Sequence, residues 1–165
     1  MIQEDDCSTN GLLPFFKEKG FRKKGQNFCR TNISCLDASN IQKSQWNTDS
    51  DISFCINLGI YWPEVEKRFS GNEIATFPKP YDCTVSTRLG QLSHGHDMWW
   101  EITPQTDIEI LAHTVLDALA KYGMEWLDKG HDPKMSVKYL EERGKAYSLK
   151  RETMQRWIDK ENFVT

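Results

Sequence analysis

A row of polar residues stands where strand-forming segments would ordinarily be apolar. Gln42 and Ser44 close one such segment, Asn57 and Tyr61 alternate with Phe54, Ile56, Leu58 and Ile60 in the next, and Arg88 and Trp99 lie in two later ones. Successive side chains of a strand point to opposite faces, which puts Asn57 and Tyr61 on the face opposite Ile56 and Leu58. Gln42 and Ser44 on the preceding strand and Arg88 on a later one would share that face. Together they would gather amides, a hydroxyl, a phenol and a guanidinium beside rings such as Tyr61, Trp62 or Trp99. Such a set suits an anionic or planar ligand, with Arg88 as a bidentate donor. Leu36 and Ala38 have the same parity as Gln42, so this reading requires a bulge or a late strand start. The competing reading is a buried structural network or a solvated sheet face.

Other chemistries are weaker. His94-Gly95-His96-Asp97 is the only local cluster of metal-type ligands, and it needs a further ligand such as His113 or His131. His-x-His on a polar loop is common without metal, so no metal and no cofactor are assigned. No Gly-x-Ser-x-Gly elbow, phosphate loop or His-Glu-x-x-His helix occurs. Glu64 and Glu66 would point apart, and Lys43 and Ser44 face opposite sides of a strand. No catalytic residue is therefore named. Trp46, Trp62, Trp99 and Trp100 fall at strand ends or in loops, where rigid rings serve either as anchors for a protein partner or as core.

The elements that must position these groups follow from periodicity. Pro14 among Leu12, Leu13, Phe15 and Phe16 opens a short helix that Gly20 stops. Residues 26–31 and 34–44 read as an antiparallel pair, 52–61 as the strongest strand, 69–81 as a loop after Pro63, and 83–90 and 97–103 as further strands. Apolar residues from Ile108 to Leu119 recur at helical spacing, giving a helix over 106–122 with a Thr106/Glu109 capping box and an end or bend at Gly123. Asp132-Pro133 starts another helix, and Ser148 a last one carrying Trp157 and Ile158. The fold class is α+β: an antiparallel sheet of four to five strands with helices packed on one face and a helical C-terminal half.

The chain has 165 residues, which fits a single domain with a sizeable core. A net charge of −3 argues against a nucleic-acid partner, since the basic run of Lys17, Lys19, Arg22, Lys23, Lys24 and Arg30 reads as a solvated helix end and hairpin. The acidic N-terminus lacks a signal pattern, and no apolar run approaches membrane-spanning length, so the expectation is a cytoplasmic protein without a membrane partner. The 5 cysteines, Cys7, Cys29, Cys35, Cys55 and Cys83, are odd in number and never paired as C-x-x-C, and free thiols are expected.

Several segments also carry a family resemblance: Gly20-Phe21-Arg22-Lys23-Lys24-Gly25 with Phe28, Gln42-Lys43-Ser44, Asn57-Leu58-Gly59-Ile60, Arg88-Leu89-Gly90 and the Trp before the long helix. In order and spacing they resemble the bacterial family termed domain of unknown function 4304, over about residues 10 to 130. The resemblance implies a small intracellular α+β domain and supplies no catalytic residues. The helical segment from about residue 133 to 163 lies outside it. The leading expectation is a non-enzymatic protein-binding module, of immunity or regulatory type. The alternative is a small-ligand binder or enzyme using Gln42, Asn57, Tyr61 and Arg88.

Overall fold

A computed structural model describes residues 11–161. Cys7 and the acidic N-terminal segment lie outside the described residues. Helix α1 (Leu13–Glu18) takes Pro14 in its first turn, and Gly20, at φ 88°, provides the left-handed exit that a side chain would resist. Phe16, wholly buried, stacks on Phe28 at 4.2 Å and meets the edge of Phe21 at 5.1 Å, which ties the helix to the sheet.

The sheet has six antiparallel strands: β1 (Arg22–Lys24), β2 (Asn27–Thr31), β3 (Leu36–Lys43), β4 (Ile52–Tyr61), β5 (Val85–Arg88) and β6 (Trp100–Ile102). The order β1-β2-β3-β4-β5 follows the chain. β6 also pairs with β4, along Ile52–Phe54, whereas β5 pairs along Asn57–Ile60. One edge of the ten-residue β4 is thus shared by two short strands, with helix α3 (Leu89–His94) between them. The strand expected over 83–90 stops at Arg88 because Leu89 and Gly90 already turn into this helix. Gly90 lies against the Met98 backbone so closely that a Cβ would come within 2.6 Å of its nitrogen. The strand expected over 97–103 is confined to 100–102. Helix α2 (Pro63–Ser70), too short to show periodicity in the sequence, follows β4 directly with Pro63 in its first turn.

One face of the sheet is core. Phe54, Ile56, Leu58 and Ile60 of β4 are buried there under a continuous helical run. Its parts are α4 (Ile108–Ala118), a π-helical turn at Leu119–Gly123 and α5 (Met124–Gly130). Asp107 caps α4 by accepting from the Ile110 N–H. Thr106 instead closes the preceding turn on the Thr103 N–H, which corrects the expected Thr106/Glu109 box. Gly123 does not end the helix. It sits where an added Cβ would press on Leu58 Cδ1 at 3.2 Å, so its role is close approach to the sheet. Helices α6 (Pro133–Glu142), capped by Asp132 as expected, and α7 (Ser148–Glu161) join the same hydrophobic cluster through Val137, Leu140, Met154, Trp157 and Ile158. Trp62 packs on Trp157 at 5.5 Å and donates its indole N–H to Ser136 Oγ, which binds the segment beyond residue 130 into the core.

The opposite face needs no bulge. The β3–β4 register runs unbroken from Leu36↔Tyr61 to Lys43↔Phe54, so Leu36, Ala38, Asn40 and Gln42 do share one face. That face is divided instead. At one end Ala38, Tyr61 and Cys83 form a second small cluster, with Leu36 and Ala75 packed against it. Gly59 makes this possible, because a Cβ there would lie 2.6 Å from Cys83 Sγ. The other end stays polar.

Candidate functional site

The polar end of the face forms the floor of a cleft of about 730 Å³, a volume in the usual range for small-molecule sites. Asn40 on β3 lies opposite Asn57 on β4, and Asn57 in turn lies opposite Arg88 on β5, so the three share the face by register. Gln42 is two residues beyond Asn40. The Asn57 amino group donates to Asn40 Oδ1 at 2.8 Å and to Gln42 Oε1 at 2.9 Å. Both of its protons point inward to its neighbours. The amino groups of Asn40 and Gln42, four N–H bonds in all by the chemistry of the amide, then have no acceptor among the described residues, and both side chains line the cleft. The result is a floor rich in donors.

The walls carry the charge. Arg88 Nη1 donates to Asp97 Oδ2 at 2.7 Å, and Gln91 Nε2 donates to Asp97 Oδ1 at 3.0 Å. The Gln91 hydrogen bond above all, joined by Arg88 and the farther Arg143, outweighs the opposing effect of burial and holds the Asp97 carboxyl below its ordinary range. Arg88 therefore grips one oxygen of a neighbouring carboxylate, where the sequence pointed to a bidentate ligand donor. Its guanidinium also stacks over the Trp99 ring at 5.5 Å. Pro80 and Tyr81, in a turn at Pro80–Asp82, complete the cleft with Arg143 from the end of α6.

Of the residues expected on this face, the structure brings Gln42, Asn57 and Arg88 into the cleft and sets Trp99 behind Arg88. Tyr61 is at the covered end, 4% exposed, with its hydroxyl accepting from the Ala75 N–H. Ser44 belongs to the β3–β4 turn, where its hydroxyl accepts from the Trp46 N–H. Asn40, Gln91, Asp97 and Arg143 were not singled out for this cleft. The parity that selected Gln42 also selects Asn40, whereas Arg143 has no signal in the sequence.

The histidines do not assemble. The His94 and His96 rings are 6.0 Å apart, bonded to Ser93 and to the Asp97 carbonyl respectively. His113 pairs with Asp117 on the outer side of α4, and His131 turns to Asp37. Among the described residues no three His, Cys, Asp or Glu side chains are grouped to hold a metal. Cys29, Cys35, Cys55 and Cys83 are free and buried, and burial pushes the Cys35 thiol up to about 12. Trp62, Trp100 and Trp157 are core, Trp126 stacks on Tyr139 at 4.8 Å, and Trp46 is 82% exposed.

A second cleft of about 730 Å³ opens beside the β2–β3 loop, lined by residues including Asn32, Cys35, Trp62 and His131. Its polar groups are turned inward. Asp37 is wholly buried on β3 and accepts from Arg30 Nε at 2.9 Å and Asn32 Nδ2 at 3.0 Å, with His131 Nε2 at 2.8 Å. Arg30 also reaches Asp128 and the Lys19 carbonyl, so the set clasps α1, β2, β3 and α5 together. The donors here have acceptors, whereas the Asn40 and Gln42 amino groups of the first cleft have none among the described residues. The first cleft is the better candidate.

No helix among the described residues is long and apolar enough to cross a membrane. Comparison with known proteins found no match among curated proteins and none among solved structures. It did find a family. Residues 12–129, which include every strand of the sheet and all of the amide floor, match Domain of unknown function (DUF4304), and the chain belongs to that family.

Proposed function

We propose that the chain is a non-catalytic receptor for a small ligand bearing an oxyanion, bound over the polar end of the sheet face. The observation that carries this reading is the direction of the amide network. Asn57 gives both protons to Asn40 and Gln42, which leaves the amino groups of those two with no protein acceptor beside Arg88. An acceptor-rich anion meets such a surface at low cost, because the donors are already oriented and lack internal partners. Catalysis is not supported by the lining. Asp97, the acid in the cleft, is held ionised by Gln91 and Arg88, away from the pKa a general acid or base needs near neutrality.

The test is a titration of the 15N-labelled chain with sodium benzoate at millimolar concentration, followed by NMR. The side-chain amide signals of Asn40 and Gln42 are expected to move with Asn57 and Arg88. In Asn57→Leu, which removes the inward donor, the response should disappear while the fold persists. Saturating benzoate that moves none of these signals would end the reading.

A protein partner is the second reading, supported by Trp46, whose ring projects from the β3–β4 turn. Trp46→Ala would abolish partner capture in that case and leave the benzoate response intact.

A further inference from the structure

The cleft has two guanidinium groups of different standing. Arg88 comes from β5, inside the matched domain, and its charge is already met by Asp97 at 2.7 Å. Arg143 comes from the end of α6, beyond residue 129, where the family match stops. Among the described residues it pairs with no carboxylate. Its guanidinium instead lies over the Tyr147 ring at 5.3 Å, and its side chain lines the cleft. The backbone fixes where it starts: the Arg143 N–H bonds the Leu140 carbonyl, the Gly144 N–H bonds the Glu141 carbonyl, and Gly144, at φ 87°, turns the chain away immediately afterwards. Summed over Arg88, Asp97 and Arg143, the cleft carries one net positive charge, in a chain whose net charge is −3.

Resting on the cleft reading above, we infer that Arg143 is the residue that recognises the ligand's charge, and that the ligand is a singly charged oxyanion. The matched domain alone offers a neutral, donor-rich floor. The C-terminal segment adds the one cleft arginine that makes no salt bridge among the described residues, its only influence on Asp97 being exerted from a distance. Arg88 acts as a positioning residue, holding Asp97 on one side and Trp99 on the other. Asp97 sets the charge limit: a second negative charge on the ligand would face its carboxylate with no further cation to offset it. Carboxylates and phosphodiesters share the required chemistry, whereas a phosphate monoester, which carries close to two charges above its second pKa near 6, does not.

The test uses the full chain, with benzoate, dimethyl phosphate and phenyl phosphate as probes at pH 8, read by NMR titration. The wild type should bind the two monoanions better than phenyl phosphate, and their ratio tells a carboxylate site from a phosphodiester site. Arg143→Ala should weaken both monoanions about tenfold or more, the range for a charge-assisted hydrogen bond, with Arg143→Lys recovering part of the loss. Because Arg143 is exposed, its thermal midpoint should match wild type. Asp97→Asn should raise phenyl phosphate affinity toward that of the monoanions. Wild-type binding that is unchanged in Arg143→Ala would overturn this inference and leave the cleft reading standing. Loss in Arg88→Ala alone would overturn it too, by moving charge recognition to β5. If no probe binds the wild type, the cleft reading itself fails.

Discussion

Asp37 and Asp97 each meet an arginine at 2.7 Å, yet the two pairs serve different ends. The Asp37 side chain has no exposure and Arg30 only 16%, whereas Asp97 and Arg88 are 51% and 32% exposed. Asp37 has its charge distributed over Arg30, Asn32 and His131, drawn from the first hairpin and the end of the helical run. Asp97 is hydrogen-bonded only by the side chains of Arg88 and Gln91, its near neighbours in the chain, with Arg143 acting from farther off. Desolvation explains the difference. A buried carboxylate cannot be left without partners, so its network holds distant elements in place, whereas a half-exposed pair can exchange partners with water or a ligand at small cost.

The comparison can be broken most decisively at Asp37. Asp37→Asn leaves Arg30 facing a neutral amide in a buried site, with only the largely exposed Asp128 as counter-charge, and should cost about 3 kcal/mol, the low end for breaking a buried pair, visible as a large fall in the urea midpoint with an unchanged slope. A loss below about 1 kcal/mol would place the clasp with ordinary surface pairs. The next effect belongs to the covered end of the sheet face. Gly59→Ala brings a methyl to within 2.7 Å of Cys83 Sγ and Cβ and 3.3 Å of Pro80 Cα, and overpacking of this kind costs about 1–3 kcal/mol. Adding Cys83→Gly should restore part of that loss. No recovery in the double variant would point to the backbone of the Pro80 turn as the site of strain.

The smallest effect is expected at Asp97. Asp97→Asn should change stability at neutral pH by no more than about 0.5 kcal/mol, as for surface substitutions. The sign of its pH dependence follows from the lowered pKa: the folded state favours the ionised carboxyl. The pairing therefore contributes above the ordinary aspartate value of 3.8, and the contribution is lost as pH falls through the lower folded value. A 13C titration of the Asp97 carboxyl should give a midpoint below that of the unfolded chain. An equal or higher midpoint would mean that Gln91 and Arg88 do not hold it.

Much of the frame was legible because it rests on local rules. Alternation from Phe54 to Tyr61 identifies β4 and assigns Asn57 to the face opposite Ile56. Helical spacing from Ile108 to Leu119, Asp132-Pro133 and Gly20 mark helices and ends through residues a few positions apart. Parity also selects Gln42 and Arg88. Helix α2 and α3, at eight and six residues, span too few turns to show a period and were passed over or read as strand.

By itself, the amino-acid sequence determined the α+β class, the central strand, the long helical run and the face on which Asn57 and Arg88 meet, because each depends on intervals of two to four residues. Tertiary structure alone decided how that face is divided. Tyr61 is four residues from Asn57, about 13 Å along a strand, and falls under the segment that carries Ala75 and Cys83, while Asn57 stays open. It also decided which of the two cleft arginines is held in a salt bridge. Nothing local in the chain says that Asp97 closes back on Arg88, or that the end of α6 delivers Arg143 to a sheet built by residues 22–102. Both follow from how buried side chains such as Trp62, Trp157 and Leu140 pack across long sequence separations, and no short-range pattern encodes those contacts.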